Sequence, residues 1–147
     1  MKQFKFSLSS VLQYRAKVEE NEKNILAGQN RELSLLYGQL RELLDRYKDA
    51  ILKYEEQSAR GMTAREITAE RSYIGSIERS IEKKEDEIEE QRKLVARQTA
   101  VVVRATQETK TLDKLKEHKY RIYGDAARKE EELFIEEFVS NQAATAK

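Results

Sequence analysis

Residues 67–102 read ITAERSYIGSIERSIEKKEDEIEEQRKLVARQTAVV, and this stretch decides the fold. Ile67, Ile74, Ile81, Ile88, Val95 and Val102 recur at every seventh position. A strand places alternate residues on one face, so a period of seven cannot give a strand a consistent apolar side. A helix wound at 3.5 residues per turn keeps such a row against a partner helix. The second row of the same seam is mixed: it includes Ile77, Ala105 and Leu112, but also Lys84, Gln91 and Gln98. Polar seam residues of this kind fix register at a cost in stability.

Just upstream, Gly61-Met62-Thr63-Ala64-Arg65-Glu66 carries helix stop and start signals together. Gly61 can adopt the left-handed conformation that ends a helix. Thr63 and Glu66 have the spacing of a capping box. The reading is therefore all-α: helix one over about 9–60, a turn at about 61–63, helix two over about 64–140, and a frayed tail over 141–147. At 1.5 Å per residue the helices span roughly 75 and 115 Å. A short loop between them makes an antiparallel coiled-coil hairpin, a single elongated domain over 1–147. Folding about Gly61 sets Tyr54 near Ile67 and Leu8 near Lys114. Residues after about Lys119 overhang, and Leu133, Phe134, Ile135 and Phe138 either bend back or form a docking tip.

Helix one carries its own row at Leu26, Leu33, Leu40, Tyr47 and Tyr54, with Tyr37, Leu44 and Ile51 interleaved as its second row. Val11, Val18 and Ile25 keep the spacing one residue out of phase, which predicts a rotated, looser seam near the N-terminus. Gly28, Gly38, Gly75 and Gly124 interrupt the helical pattern, each costing about 1 kcal/mol relative to Ala.

Composition agrees with long amphipathic helices. Charged residues make up 37% of the 147, aromatics 7%, and there is no Trp, Pro or Cys. So much charge can mean disorder, but a disordered chain has no reason to keep a heptad. The net charge is +1, from 28 basic and 27 acidic residues, which argues against nucleic-acid binding. No run approaches the ~20 apolar residues of a membrane span, and residues 1–12 do not read as a signal peptide. A cytoplasmic protein is expected. Phe4, Phe6 and Leu8 beside Lys2 and Lys5 could touch a membrane surface, but fit better as a staple at the helix start.

Catalytic chemistry is not suggested. An enzyme needs convergent polar groups in a concavity, and a two-helix hairpin offers none. His118 is the single histidine, with no cysteine to share a metal, and no glycine loop cradles a phosphate. No cofactor and no metal are expected. The charge is nevertheless uneven. Residues 1–18 hold Lys2, Lys5, Arg15 and Lys17 without an acid, and residues 92–121 hold nine cations against three acids. The hairpin brings these segments together into a basic end that an acidic surface could receive.

The opening Phe4-Lys5-Phe6-Ser7-Leu8-Ser9-Ser10-Val11-Leu12-Gln13-Tyr14-Arg15 resembles the start of FliJ proteins of bacterial flagellar export. Gly61-Met62-Thr63 looks like the hairpin of that family, and Leu112-Asp113-Lys114-Leu115-Lys116-Glu117 resembles a further stretch of it. The resemblance implies a non-enzymatic stalk and adaptor. It would insert into the flagellar export ATPase hexamer, promote its assembly, and link it to the export-gate membrane protein. In some members export chaperones are also bound. The ring-contacting end would be the basic one, with Lys2, Lys5, Arg15, Lys17, Lys110 and Lys114. Aligned on Gly61, the gate-contacting patch falls on Gln39, Leu43, Tyr73 and Ile77, with Tyr47 one residue off register and Lys84 in place of a histidine. Leu43 and Tyr73 lie beside the expected seams and should be partly exposed, whereas Ile77 reads equally well as core. The resemblance places the protein in the cytoplasm, reaching the inner face of the cell membrane at most. Two rival readings are an export escort that binds substrates through the overhanging tail and a coiled-coil spacer without a motor partner.

Overall fold

The computed structural model describes residues 2–145. Two helices, α1 (Ser9–Arg60) and α2 (Ala64–Thr145), make up nearly all of it. They pack against each other as a helical hairpin, and no strand occurs among the described residues. Packing divides these residues into two compact units. One joins the residues up to Asn21 with those from Val102 onward; the other is Glu22–Val101.

The turn follows from its residues. Gly61 has φ of 101°, the left-handed region that costs a side-chain-bearing residue about 1–2 kcal/mol. Its amide donates to the Ser58 carbonyl at 3.2 Å, closing α1. The capping box forms in both directions. The Glu66 amide donates to Thr63 Oγ1 at 3.2 Å, and the Thr63 amide donates to Glu66 Oε2 at 3.4 Å. Two of the four amides left free by the first turn of α2 are satisfied in this way.

In the Glu22–Val101 unit the seam near the turn is apolar. Ala50, Ile74 and Ile77 form its buried cluster, with Tyr47, Ile51, Tyr54 and Ile81 packed around them. Ala50 is small, and its size leaves room for the two isoleucines. Farther from the turn, polar pairs enter the seam among apolar residues such as Leu36 and Ile88. Lys84 Nζ donates to Gln39 Oε1 at 2.8 Å, and Gln91 Nε2 donates to the main-chain carbonyl of Gln29 at 3.0 Å. Gln98 Nε2 donates to the main-chain carbonyl of Glu22 at 3.1 Å and to the Glu22 carboxylate. Each pair straddles Gly61 almost symmetrically, as folding about that residue requires. The expected rows of α2 are in place: Ile74, Ile77, Ile88 and Ala105 are buried, and Lys84, Gln91 and Gln98 are half-buried.

The second row of α1 differs from expectation. Leu26, Leu33, Leu40, Tyr47 and Tyr54 line the seam, but the row beside them is Glu22, Gln29, Leu36, Leu43, Ala50 and Gln57. Tyr37 and Leu44 stand 42% and 46% exposed on the flank, and Ile51 is half-buried. The two candidate rows lie three and four residues after the first, so either can face α2; the small Ala50 lets the closer one mate with Ile74 and Ile77. Upstream, Leu12, Arg15, Glu19 and Glu22 are half-buried at the same spacing; of the residues expected out of phase, Val18 is half-buried and Val11 and Ile25 are exposed.

In the other unit, Ala105 and Thr109 are buried on α2, and Leu112 and Leu115 are half-buried. α2 stays helical to Thr145, about a turn beyond the expected end, so residues 141–145 of the expected frayed tail are helix; residues 146 and 147 lie outside the described range. The chain does not bend back after Lys119. From Arg128 onward every described residue is exposed, including Leu133, Phe134 and Phe138.

Candidate functional site

The six cations of the expected ring contact lie in one unit. Residues 2–8 run unwound ahead of α1 and lie along α2. The Phe4 ring meets Tyr120 edge-on at 5.2 Å and Tyr123 at 5.5 Å, and the Tyr123 hydroxyl donates to the Lys2 carbonyl at 2.6 Å. This aromatic clasp fixes where Lys2 and Lys5 emerge. Lys5 and Lys116 border a shallow hollow with Phe4, Phe6 and Ser9. Lys110 and Lys114 are exposed on α2. Lys2, Lys5, Lys110 and Lys114 form no ion pair among the described residues.

The other two cations are engaged within the chain. Arg15 is half-buried and pairs with Glu108 at 2.9 Å, and Arg104 approaches the same carboxylate at 3.4 Å. Lys17 lies 3.6 Å from Glu20. The clasp was not foreseen from the sequence, although Tyr120 and Tyr123 share one helix face and stand roughly opposite Phe4. Phe4 and Phe6 are half-buried, and Phe4 packs on α2, not on the first turn of α1 as the expected staple would.

The five residues of the expected gate contact do not form one open patch. Ile77 is 5% exposed and belongs to the seam core. Tyr47 packs against the same cluster, and Leu43 is half-buried in the seam row itself, not beside it. Gln39 accepts from Lys84, which also pairs with Glu87 at 2.8 Å. The bond from Lys84, helped by the charges of Lys84 and Lys83, holds the Glu87 carboxyl below its ordinary value against the opposing effect of desolvation. Only Tyr73 stands well out, 52% exposed, over a groove shared with Arg46, Asp49, Ala50 and Lys53.

No group of metal-binding side chains and no membrane-spanning helix occurs among the described residues. What the fold presents is contact surface: unpaired cations, the exposed Tyr73 and an exposed helical extension.

These features define a helical-hairpin adaptor class of protein. The pattern of one family, described as the flagellar FliJ protein, matches residues 4–147, essentially the whole chain. The chain belongs to that family and is a component of the flagellar export apparatus. The family is structural and adaptor-like, with no known enzymes. No curated protein and no solved structure is detectably similar to this chain.

Proposed function

We propose that this protein is a cytoplasmic stalk and adaptor of flagellar export, reaching the membrane only by docking on the export gate. It inserts into the export ATPase hexamer, promotes ring assembly and links the ring to the gate protein. The observation that carries this reading is the set of Lys2, Lys5, Lys110 and Lys114, gathered in one unit and left without internal partners. Such cations steer association with an acidic surface and give a contact that weakens with salt. Arg15 and Lys17 contribute less, because Glu108 and Glu20 already engage them. On the gate side, Tyr73 is the accessible member of the set, Tyr47 and Ile77 belong to the seam core, and Gln39 and Leu43 are half-buried in the seam.

The test is a pull-down with the export ATPase, imaging of its ring with the chain added, and a gate-binding assay. Reversing Lys2, Lys5, Lys110 and Lys114 to Glu abolishes ring assembly and leaves gate binding intact. Tyr73→Ala does the opposite. Loss of both activities in each variant, with helicity retained, would refute a division into two contacts. A second reading is favoured by one observation: Leu133, Phe134 and Phe138 are exposed on the α2 extension. As an escort, the chain would hold export substrates or chaperones there, and truncation after residue 127 would abolish that binding alone.

A further inference from the structure

One flank of the Glu22–Val101 unit carries an apolar row that the hairpin uses only in part: Ile51 packs against the seam core, whereas Tyr37 and Leu44 stand exposed. Tyr37, Leu44 and Ile51 recur at sevens on α1, each directly following a seam residue, Leu36, Leu43 or Ala50. Flanking positions of a two-helix coiled coil are ordinarily charged, because they border water. Here three consecutive heptads place a large apolar side chain there.

The two flanks of this unit can be told apart. One groove brings Arg46 and Lys53 of α1 beside Tyr73 of α2, and another brings Glu32 beside Glu87 and Leu94. Those residues precede seam positions and share one flank. Tyr37, Leu44 and Ile51 follow seam positions, so they lie on the opposite flank, away from Tyr73. In an antiparallel pair the residues of α2 that follow its own seam border the same flank, and these are Arg71, Glu78 and Glu85, symmetric with Ile51, Leu44 and Tyr37 about Gly61.

The two borders of this flank differ in sign. On α2, Glu78, Glu82 and Glu85 are exposed and make no ion pair among the described residues. On α1, Arg41 and Lys48 are exposed and equally unpaired. Gly75 interrupts the α2 wall between Arg71 and Glu78. The Arg79 guanidinium lies 3.5 Å from where a Cβ would stand there, so a flexible side chain alone covers the backbone at this point.

We propose that the Tyr37–Leu44–Ile51 flank is a docking channel for a third helix supplied by a partner protein, completing a three-helix coiled coil. The occupant carries an apolar stripe at heptad spacing, cations along the edge that meets Glu78, Glu82 and Glu85, and carboxylates along the edge that meets Arg41 and Lys48. Reversing the direction of a helix exchanges its two edges, so the opposed walls also select the direction in which the partner lies. The same charges disfavour a second copy's exposed tail. That tail presents Glu130, Glu131, Glu132, Glu136 and Glu137, which would meet the acidic wall. The inference does not rest on the proposed stalk role and would survive its failure.

The probe is a synthetic amphipathic helix of about three heptads, with Lys along one edge of its apolar stripe and Glu along the other. Its binding to the full chain is followed by fluorescence anisotropy, beside a control peptide with both edges Glu. The expected result is that the two-sign peptide binds at least about tenfold more tightly than the control, the scale of a few well-placed charge contacts. Leu44→Glu weakens that binding about tenfold or more, and Leu35→Glu, an equally exposed apolar site off the row, leaves it unchanged. The triple change Glu78→Lys, Glu82→Lys and Glu85→Lys reverses the preference between the peptides. Circular dichroism checks that each variant keeps its helicity. Equal binding of both peptides, or binding that Leu44→Glu does not alter, overturns the proposal. So does sedimentation in which the chain self-associates and Leu44→Glu abolishes it, because a second copy would then fill the channel.

Discussion

Replacing Ile77 by Ala tests whether the seam or a partner holds this residue. Ile77 is 5% exposed and packs with Ala50 and Ile74, with Tyr47, Tyr54 and Ile81 around them. The substitution deletes three carbons, each contributing about 0.8 kcal/mol of transfer free energy when buried. The transfer loss is therefore roughly 2.4 kcal/mol, and a partial cavity adds to it. A two-helix seam can close over part of the gap, so the expected total is about 2.5–3 kcal/mol, in the lower half of the range for such changes. Urea unfolding followed by circular dichroism reads this directly. With a slope of about 2 kcal/mol per M, the midpoint falls by somewhat more than 1 M. Tyr73→Ala, at a 52% exposed site over the neighbouring groove, shifts it by no more than about 0.5 kcal/mol. A loss below about 1 kcal/mol for Ile77→Ala would refute the seam assignment. Loss of gate binding with stability retained would make Ile77 a contact residue instead.

Four further outcomes are expected. Ile81→Asp sets a carboxylate against the apolar cluster of Ala50, Ile74 and Ile77 and lowers the thermal midpoint sharply, because burial of the charge outweighs any pull from Lys84 one turn on; an unchanged melting curve would contradict the seam. Gly61→Ala costs about 1 kcal/mol through backbone strain alone, because nothing lies within 4 Å of the added methyl; a neutral result in urea unfolding would mean that the turn relaxes. Gln29→Met raises stability by about 1 kcal/mol in the same assay, because the buried Gln29 Oε1 has no partner and the bond from Gln91 ends on the main chain of Gln29, which the change leaves intact. Lys84→Ala raises the titration midpoint of Glu87, read by carboxyl carbon NMR. In the parent chain the lowered Glu87 value favours the folded state above the ordinary 4.5 and ceases to do so as pH falls through the lowered value, and the variant lacks that acid-side dependence.

What the sequence disclosed and what it withheld have physical reasons. The Ile and Val row of α2 and the Gly61, Thr63 and Glu66 signals are local, so the turn and the helices adjoining it could be read from the order of residues. The second row of α1 was not legible, because Leu36 and Tyr37, and likewise Leu43 and Leu44, are both apolar at neighbouring positions. Ala50 decides between the rows by its size, which becomes relevant only once Ile74 and Ile77 stand opposite. The cations could be counted, but not their partners: Arg15 meets Glu108 across the hairpin, and that pairing takes its charge out of the basic surface. Phe4 finds Tyr120 and Tyr123 for the same reason, at a separation in sequence that no local pattern spans. Ile77, readable as core or as contact, is assigned to core by burial, and Tyr73, one helical turn earlier, keeps its exposure.

The bonds from Gln91 and Gln98 to the main-chain carbonyls of Gln29 and Glu22 give the two helices unequal mutational tolerance. A main-chain oxygen is present whatever side chain the residue carries. Position 29 can therefore accept many side chains and still receive its bond, position 22 keeps the main-chain bond but loses the one to its carboxylate, and few substitutions at 91 or 98 can supply the reaching amide. A saturation library scored for folding would show two restricted positions on α2 facing a permissive position 29 and a partly restricted position 22 on α1. Sequence drift would then erode one side of the interface much faster than the other while the helices stay aligned.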